Sequence, residues 1–174
     1  MTLKKKHISL AQDSLCLSPF LEKPRKPWDV EAYADEQLEA LGYRYVYKRG
    51  LADWKVRRMS MALRRQIRWG VGFRDKPQID RARDKMHELA HARQYRVYRS
   101  FLARYITDPR FRWAMEAQAY RESARALRSM GVPPSRLRNY INGRAETIIR
   151  GYFILGLRLR RSIRKHTAGI VSEK

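Results

Sequence analysis

One five-residue segment near the middle of the chain, His87-Glu88-Leu89-Ala90-His91, constrains the fold more than any other feature. It lies in a stretch that we predict to form a single helix from about residue 79 to residue 106. Two residues four positions apart lie one turn apart on the same face of a helix. Both imidazoles can therefore bind one zinc ion, at nitrogen–zinc distances of about 2.0–2.1 Å. The segment predicts a helix that supplies two zinc ligands.

Glu88 directly follows the first histidine, so its carboxylate lies beside the ion rather than on it. From there it can take a proton from a water molecule on the metal, as the general base in hydrolysis of an amide bond. We therefore predict His87 and His91 as metal ligands and Glu88 as the catalytic residue. The competing interpretation is an exposed polar helix face on which two histidines occur by chance.

The third protein ligand of a catalytic zinc site must come from another part of the chain. The two remaining histidines, His7 and His166, lie near the chain ends. A carboxylate on the next predicted helix, over 112–130, is therefore the better candidate. Glu116 and Glu122 lie almost opposite each other on that helix, so only one of them can face the ion. Glu116 is the preferred ligand and Glu122 the alternative.

Four further side chains near this segment allow two interpretations. Gln94, three residues after His91, either orients that ligand or faces solvent. A phenol from Tyr95, Tyr98 or Tyr105 can stabilise an oxyanion. Tyrosines at such positions are more often packing residues, because most of the ring is apolar.

The segments before the histidine-bearing helix predict a small antiparallel sheet. Aromatic and β-branched residues favour strands over 43–48, 54–61 and 63–73. A helix is predicted from Asp29 to about residue 41, where Gly42 ends it. With the two long helices that follow, this is a mainly helical α+β fold.

Prolines and charge divide the chain into three parts. Residues 1–28 are predicted to be an extended arm, because Ser18-Pro19, Lys23-Pro24 and Lys26-Pro27 block regular structure. Residues 29–165 form the domain, and residues 166–174 a tail. Within the domain, the region from residue 135 to residue 165 is predicted to be a basic helix, broken near residues 142–143.

The charge of the chain predicts an acidic partner. There are 39 lysines and arginines against 17 acidic residues, for a formal net charge of +22. Such a chain favours nucleic acid, an acidic protein or an anionic surface as a partner. No apolar run reaches the roughly 18 residues that cross a membrane. Cys16 is the only cysteine, so no intrachain disulfide is possible. We expect a soluble protein, either cytoplasmic or associated with a virion, that takes part in a larger assembly.

The two helices together resemble a known family. His87 to Tyr95 reads HELAHARQY, and Glu116 to Tyr120 reads EAQAY. Over about residues 66–125 this resembles the small zincin-like metallopeptidases of bacteria and phages, which are similar to gluzincins. The resemblance implies a zincin-like domain over 29–165, zinc as cofactor and a protein or peptide substrate. It also implies His87, His91 and Glu116 as ligands and Glu88 as base.

Two positions depart from the pattern of that family. Gln118 stands where such proteins often carry a second glutamate. Tyr120 stands where larger gluzincins place an aspartate that orients a histidine. The resemblance therefore implies weaker support for the zinc ligands than in those enzymes.

Two other functions remain open from the sequence. Arginines crowd residues 144–165, and an apolar stripe runs along the same segment at Ile148, Tyr152, Leu155 and Leu159. Such a basic amphipathic helix is typical of proteins that bind an acidic partner, so a phage virion component with a non-catalytic zinc site is one alternative. A nucleic-acid-binding module that carries the two histidines by chance is the other.

Overall fold

The computed structural model describes residues 18–47, 61–63, 65–70, 72–98, 100–151, 163–165 and 167–169. Within these ranges the chain is mainly helical with one small sheet, as the sequence predicts. The helices are α1 (Pro27–Ala40), α2 (Gln78–Val97), α3 (Phe101–Thr107), α4 (Pro109–Ser129) and α5 (Pro134–Gly151). The strands are β1 (Arg44–Tyr47), β2 (Met61–Leu63) and β3 (Gln66–Trp69).

The sheet is mixed rather than antiparallel throughout. Its order is β1-β3-β2, with β2 antiparallel to β3 and β1 parallel to it. Strand direction depends on how the chain crosses from β1 to β2, and that connection, which includes residues 54–60 of the predicted second strand, lies outside the described residues. Ile67 and Trp69 of β3 are fully buried while Arg68 between them is exposed, which is the alternation that the sequence predicts.

Helix α1 and strand β3 form the support on which α2 rests. Val30, Ala34 and Leu38 of α1 pack in one cluster with Ile67 and Trp69 of the strand, and this cluster also includes three residues of α2: Ala82, Met86 and Leu89. The apolar face of α2 is therefore fixed against the support. This leaves the face with His87 and His91 turned elsewhere, because those residues are not in the cluster.

A buried ion-pair group fixes α2 against α1. Lys85 of α2 is only 6% exposed. Its ammonium lies 2.9 Å from Glu31 and 2.7 Å from Asp35, both in α1. Arg81 also pairs with Glu31, at 3.1 Å. A buried cation with two carboxylate partners specifies one alignment of the helices, since any shift leaves a charge unpaired.

Two helices end as glycine positions predict. Gly42 after α1 and Gly131 after α4 have φ values of 78° and 77°. The amides of Gly42 and Tyr43 donate to Glu39 and Leu38, which satisfies the last carbonyl groups of α1. Gly131 ends α4 in the same way.

The predicted helix over 79–106 is two helices. Helix α2 ends at Val97, and Ser100 takes a left-handed conformation with φ 59° before α3 starts. Aromatic packing accounts for the break, because Tyr98 and Phe101 on either side of it both contact Phe111 of α4, with ring centres 5.5 and 5.7 Å apart. Tertiary contacts therefore override the helical propensity of this stretch.

Helix α4 starts three residues earlier than the sequence predicts. Asp108 caps it by accepting hydrogen bonds from the amides of Arg110 and Phe111, and Pro109 fills the first turn. The pair Asp108-Pro109 is therefore the start of this helix as well as the end of the preceding one. The buried residues of α2 and α4 include small ones, Ala82, Ala92 and Ala126, in one cluster, so these two helices approach closely.

Part of the predicted arm is packed on the domain rather than extended. Pro19–Glu22 forms one turn of 3-10 helix, Ser18 and Leu21 are buried, and α1 begins at Pro27 instead of residue 29. The amide of Ser18 donates to the carboxylate of Glu122 in α4, at 3.1 Å. Residues 1–17 of the arm lie outside the described residues.

At the other end, α5 runs through residues 142–143 without the predicted break. Residues 163–165 and 167–169 are helical, and Ile163 is buried against Leu137, Ile141 and α4. Most of the predicted apolar stripe lies outside the residues that can be described. Among the helices that the structure describes, none is long and apolar enough to cross a membrane.

Candidate metal centre

Helix α2 presents the two predicted histidine ligands side by side. The Nε2 atoms of His87 and His91 lie 3.2 Å apart, and the two rings are nearly perpendicular, with an interplanar angle of 84°. This arrangement follows from the four-residue spacing on one helix face. Both Nε2 atoms therefore point to one region of space.

Glu116 of α4 supplies a third group to the same region. Its Oε2 lies 3.5 Å from Nε2 of His87, and its Oε1 lies 3.5 Å from Nε2 of His91. One atom of each residue lies within 4.8 Å of the others. The side chains of His87, His91 and Glu116 are 16%, 12% and 11% exposed, so the group can be reached from solvent. The structure thus brings together the three residues that the sequence predicts as ligands.

The spacing of these atoms suits one zinc ion. Ligand atoms about 2.0–2.1 Å from a tetrahedral zinc ion lie about 3.3–3.4 Å apart. The two Nε2 atoms are 3.2 Å apart, and each lies 3.5 Å from a different oxygen of the Glu116 carboxylate. Two imidazole nitrogens and a carboxylate oxygen are also donors that zinc accepts. The residues present could therefore hold zinc.

Gln94 orients one of the histidines. Its Oε1 lies 2.8 Å from Nδ1 of His91, and its amide nitrogen donates to the carbonyl of Met115 and to Gln118, at 2.9 and 3.0 Å. Because Gln94 is fully buried and its amide group is fixed by these two donations, its oxygen must accept from His91. The other nitrogen of His91, Nε2, is then free to bind a metal ion. Of the two interpretations that the sequence leaves open for Gln94, the structure supports the orienting one.

Replacing Gln94 with methionine should weaken zinc binding by about 10- to 100-fold, which is the usual effect of losing the partner of a ligating histidine. Gln94→Glu should weaken it less, because a carboxylate still accepts the hydrogen bond from Nδ1. The measurement is competition with a zinc-binding dye. Equal affinities for both variants and the parent would show that Gln94 has no influence on the ligand.

Two tyrosine hydroxyls surround Glu116. Tyr105 of α3 donates a hydrogen bond to Oε1 of Glu116, and its ring centre lies 6.0 Å from that of His91. Tyr120, one turn along α4, packs on the ring of His87, with ring centres 4.9 Å apart. Burial and the Glu116 carboxylate together raise the pKa of Tyr120 well above its usual value. The phenol of Tyr120 therefore stays protonated near neutral pH.

Tyr120 packs on the ring of His87 but does not form a hydrogen bond with its Nδ1 atom. Nδ1 of His87 is buried and has no hydrogen-bond partner among the residues that the structure describes. An aspartate at position 120, which the resemblance would lead one to expect, is absent. The two histidines thus differ, since Gln94 holds Nδ1 of His91, whereas no described residue holds Nδ1 of His87.

Glu88, which directly follows the ligand His87, is buried. It is 4% exposed, and its Oε2 has no hydrogen-bond partner within the described residues. Burial raises the pKa of Glu88, although His87 and His91 act in the opposite direction. A carboxylate with a raised pKa and a free oxygen is suited to accept and return a proton.

Charge coupling links Glu116 and His91. Burial opposes the charged form of His91, but the Glu116 carboxylate outweighs it and raises the pKa of His91 to about 9. Burial likewise disfavours ionised Glu116, but the two histidines hold the pKa of Glu116 well below its usual value. The site therefore concentrates negative charge that either a proton or a cation can neutralise.

Other predicted candidates lie away from this centre. Glu122 is 1% exposed and accepts from the Ser18 amide and from Arg125, at 3.1 and 3.3 Å, so it anchors the segment before α1. Tyr95 and Tyr98 pack with Phe101 and Phe111. No local sequence pattern distinguishes Tyr105 from the other two tyrosines, because the helix break that redirects it is a tertiary feature.

Comparison with protein-family models, curated proteins and solved structures finds no match to this chain.

Proposed function

We propose that this protein is a zinc-dependent hydrolase of peptide bonds, with His87, His91 and Glu116 as metal ligands and Glu88 as general base. The observation that carries the proposal is the convergence of two Nε2 atoms and one carboxylate at separations of 3.2–3.5 Å, beside a buried glutamate. If the two histidines shared a helix face by chance, there would be no reason for a carboxylate from another helix to face both of them.

We infer a zincin-like arrangement from the order of the elements. Strand β3 precedes α2, and its buried residues Ile67 and Trp69 pack in the cluster that fixes that helix. Helix α4 then returns alongside α2 and contributes Glu116. A strand, a helix with two histidines and a second helix with a glutamate are the features on which the resemblance rests.

The donor set favours zinc over harder cations. Magnesium and calcium prefer sites made of oxygen ligands, whereas imidazole suits zinc and other transition metals. Two histidines with one carboxylate also occur at non-haem iron sites, which the metal analysis described below distinguishes from zinc.

A bound zinc ion would polarise the substrate carbonyl and lower the pKa of a coordinated water to about 7. Glu88 accepts the proton of the attacking water as the water oxygen adds to the amide carbon. Glu88 then returns that proton to the leaving nitrogen, so the carboxylate is regenerated. Its raised pKa favours the first of these two transfers, since a more basic carboxylate takes a proton from water more readily.

Metal analysis of the purified protein followed by a protease assay tests the proposal. We expect stoichiometric zinc, and hydrolysis of casein that a chelator stops and added zinc restores. Zinc without hydrolysis would favour a structural site, and a protein that neither retains nor binds zinc would contradict the proposal.

Zinc affinity should depend on pH through His91. Because the raised pKa of His91 is about 9, the metal-free site holds a proton below that pH, and zinc must displace it. We expect the apparent affinity to fall by up to about tenfold for each pH unit from 9 towards 7. Titration calorimetry in buffers of different ionisation enthalpy checks this, since it counts the protons released. Zinc binding without proton release at pH 7 would contradict it.

The charge of the chain favours a second candidate function. A formal net charge of +22 fits a protein that binds an acidic partner or nucleic acid around a non-catalytic zinc site, as in a virion component. Retention on heparin or DNA that vanishes at moderate salt, together with absent hydrolysis, would favour this function.

A further inference from the structure

Helix α5 contacts α2 one helical turn before the metal ligands. Arg83, His87 and His91 occupy successive turns on the same face of α2. The guanidinium carbon of Arg83 lies 4.5 Å from the centre of the Tyr140 ring in α5. Tyr140 therefore borders the site one helical turn from His87.

A second guanidinium lies on the same tyrosine. The guanidinium carbon of Arg144 is 5.5 Å from the ring centre of Tyr140. Tyr140 also packs against the buried cluster that includes Tyr120. Because Tyr120 packs on the ring of His87, the Arg144 guanidinium lies on the side of the domain that carries the metal centre.

The two arginines on Tyr140 differ in their partners. Arg83 pairs with Asp80 at 2.6 Å and with Asp84 at 2.7 Å, so its charge is neutralised within the domain. The nearest acidic residue along α5 from Arg144 is Glu146, which pairs with Arg164 at 3.1 Å. Within the part of the chain that the structure describes, no carboxylate pairs with Arg144. Its guanidinium contacts the ring of Tyr140.

We propose that Arg144 binds a carboxylate of the substrate, which makes the site selective for peptides with an acidic group close to the bond that is cleaved. This rests on the proposed peptidase function. A guanidinium supported on one side by an aromatic ring offers several N–H donors, which can bind a carboxylate through two parallel hydrogen bonds. The carboxylate belongs either to the C-terminus of the peptide or to an aspartate or glutamate side chain.

Four peptides of equal length test the proposal and distinguish these sources. They carry glutamate or glutamine next to the scissile bond, each with a free or an amidated C-terminus. Binding is measured by calorimetry to the zinc-loaded Glu88→Gln protein, which is expected to bind without cleaving. The same peptides are measured with Arg144→Gln added. Arg138→Gln, an exposed residue on the same helix, is the matched control for the change in net charge.

We expect one carboxylate to tighten binding by about tenfold to a hundredfold, and Arg144→Gln to remove that preference. Arg138→Gln should retain it. A preference that follows the glutamate identifies an acidic side chain as the source, and one that follows the free C-terminus identifies the terminal group. Equal affinities for all four peptides, an unchanged preference in Arg144→Gln, or an equal loss in Arg138→Gln would overturn the proposal.

Failure of this inference is distinct from failure of the proposed function. Chelator-sensitive hydrolysis without a preference for carboxylate contradicts only the role of Arg144. Because binding requires no turnover, a carboxylate preference that depends on Arg144 in a protein without hydrolytic activity contradicts only the peptidase function.

Discussion

Glu88→Gln is expected to keep zinc bound and to lower the rate of peptide hydrolysis by about 10²- to 10⁴-fold, the usual contribution of a positioned general base. Glutamine is close to glutamate in shape, but its amide does not accept a proton from water. Glu88 is not among the three groups whose atoms converge, so its loss leaves the ligand set intact. The measurements are kcat on casein-derived peptides and zinc content by mass spectrometry.

The paired readout separates a catalytic role from a structural one. Glu88 is buried, so a glutamine that fits poorly would lower the melting temperature and the zinc content together. If zinc is lost along with activity, Glu88 supports the site structurally. If activity is retained while zinc is present, another group acts as the base and the assignment of Glu88 is wrong.

Glu116→Gln is expected to weaken zinc binding by more than about 100-fold, beyond the effect of changing a group that only orients a ligand. The neutral amide is a poor zinc ligand, and it also removes the charge that faces both histidines at 3.5 Å. Hydrolysis should be lost in proportion to the zinc. The dissociation constant is measured by competition with a zinc-binding dye.

Glu122→Gln is the matched control for this change. Glu122 lies on the same helix and is also buried, but it accepts hydrogen bonds from Ser18 and Arg125 instead of facing the histidines. Its amide oxygen can still accept the Ser18 amide, so we expect zinc affinity to remain within about twofold of the parent. Full zinc affinity in Glu116→Gln, or loss of zinc only in Glu122→Gln, would contradict the assignment of the third ligand.

Local patterns in the sequence predict most of the fold. The alternation of Ile67, Arg68 and Trp69 predicts β3, and Gly42 and Gly131 mark the ends of α1 and α4. The break between α2 and α3 is not predictable from local sequence, because it depends on the contacts of Tyr98 and Phe101 with Phe111 in another helix. The parallel pairing of β1 with β3 is likewise a property of the chain path.

What the sequence alone determined is the pair His87 and His91 on one helix face, with Glu88 beside them, because spacing along a helix fixes which side chains share a face. Tertiary packing decided everything that joins different helices. It brought Glu116 rather than Glu122 to the histidines, locked His91 through Gln94 and turned Tyr105 towards Glu116. Sequence spacing does not determine these contacts, because the distance between two helices depends on how their buried side chains interlock.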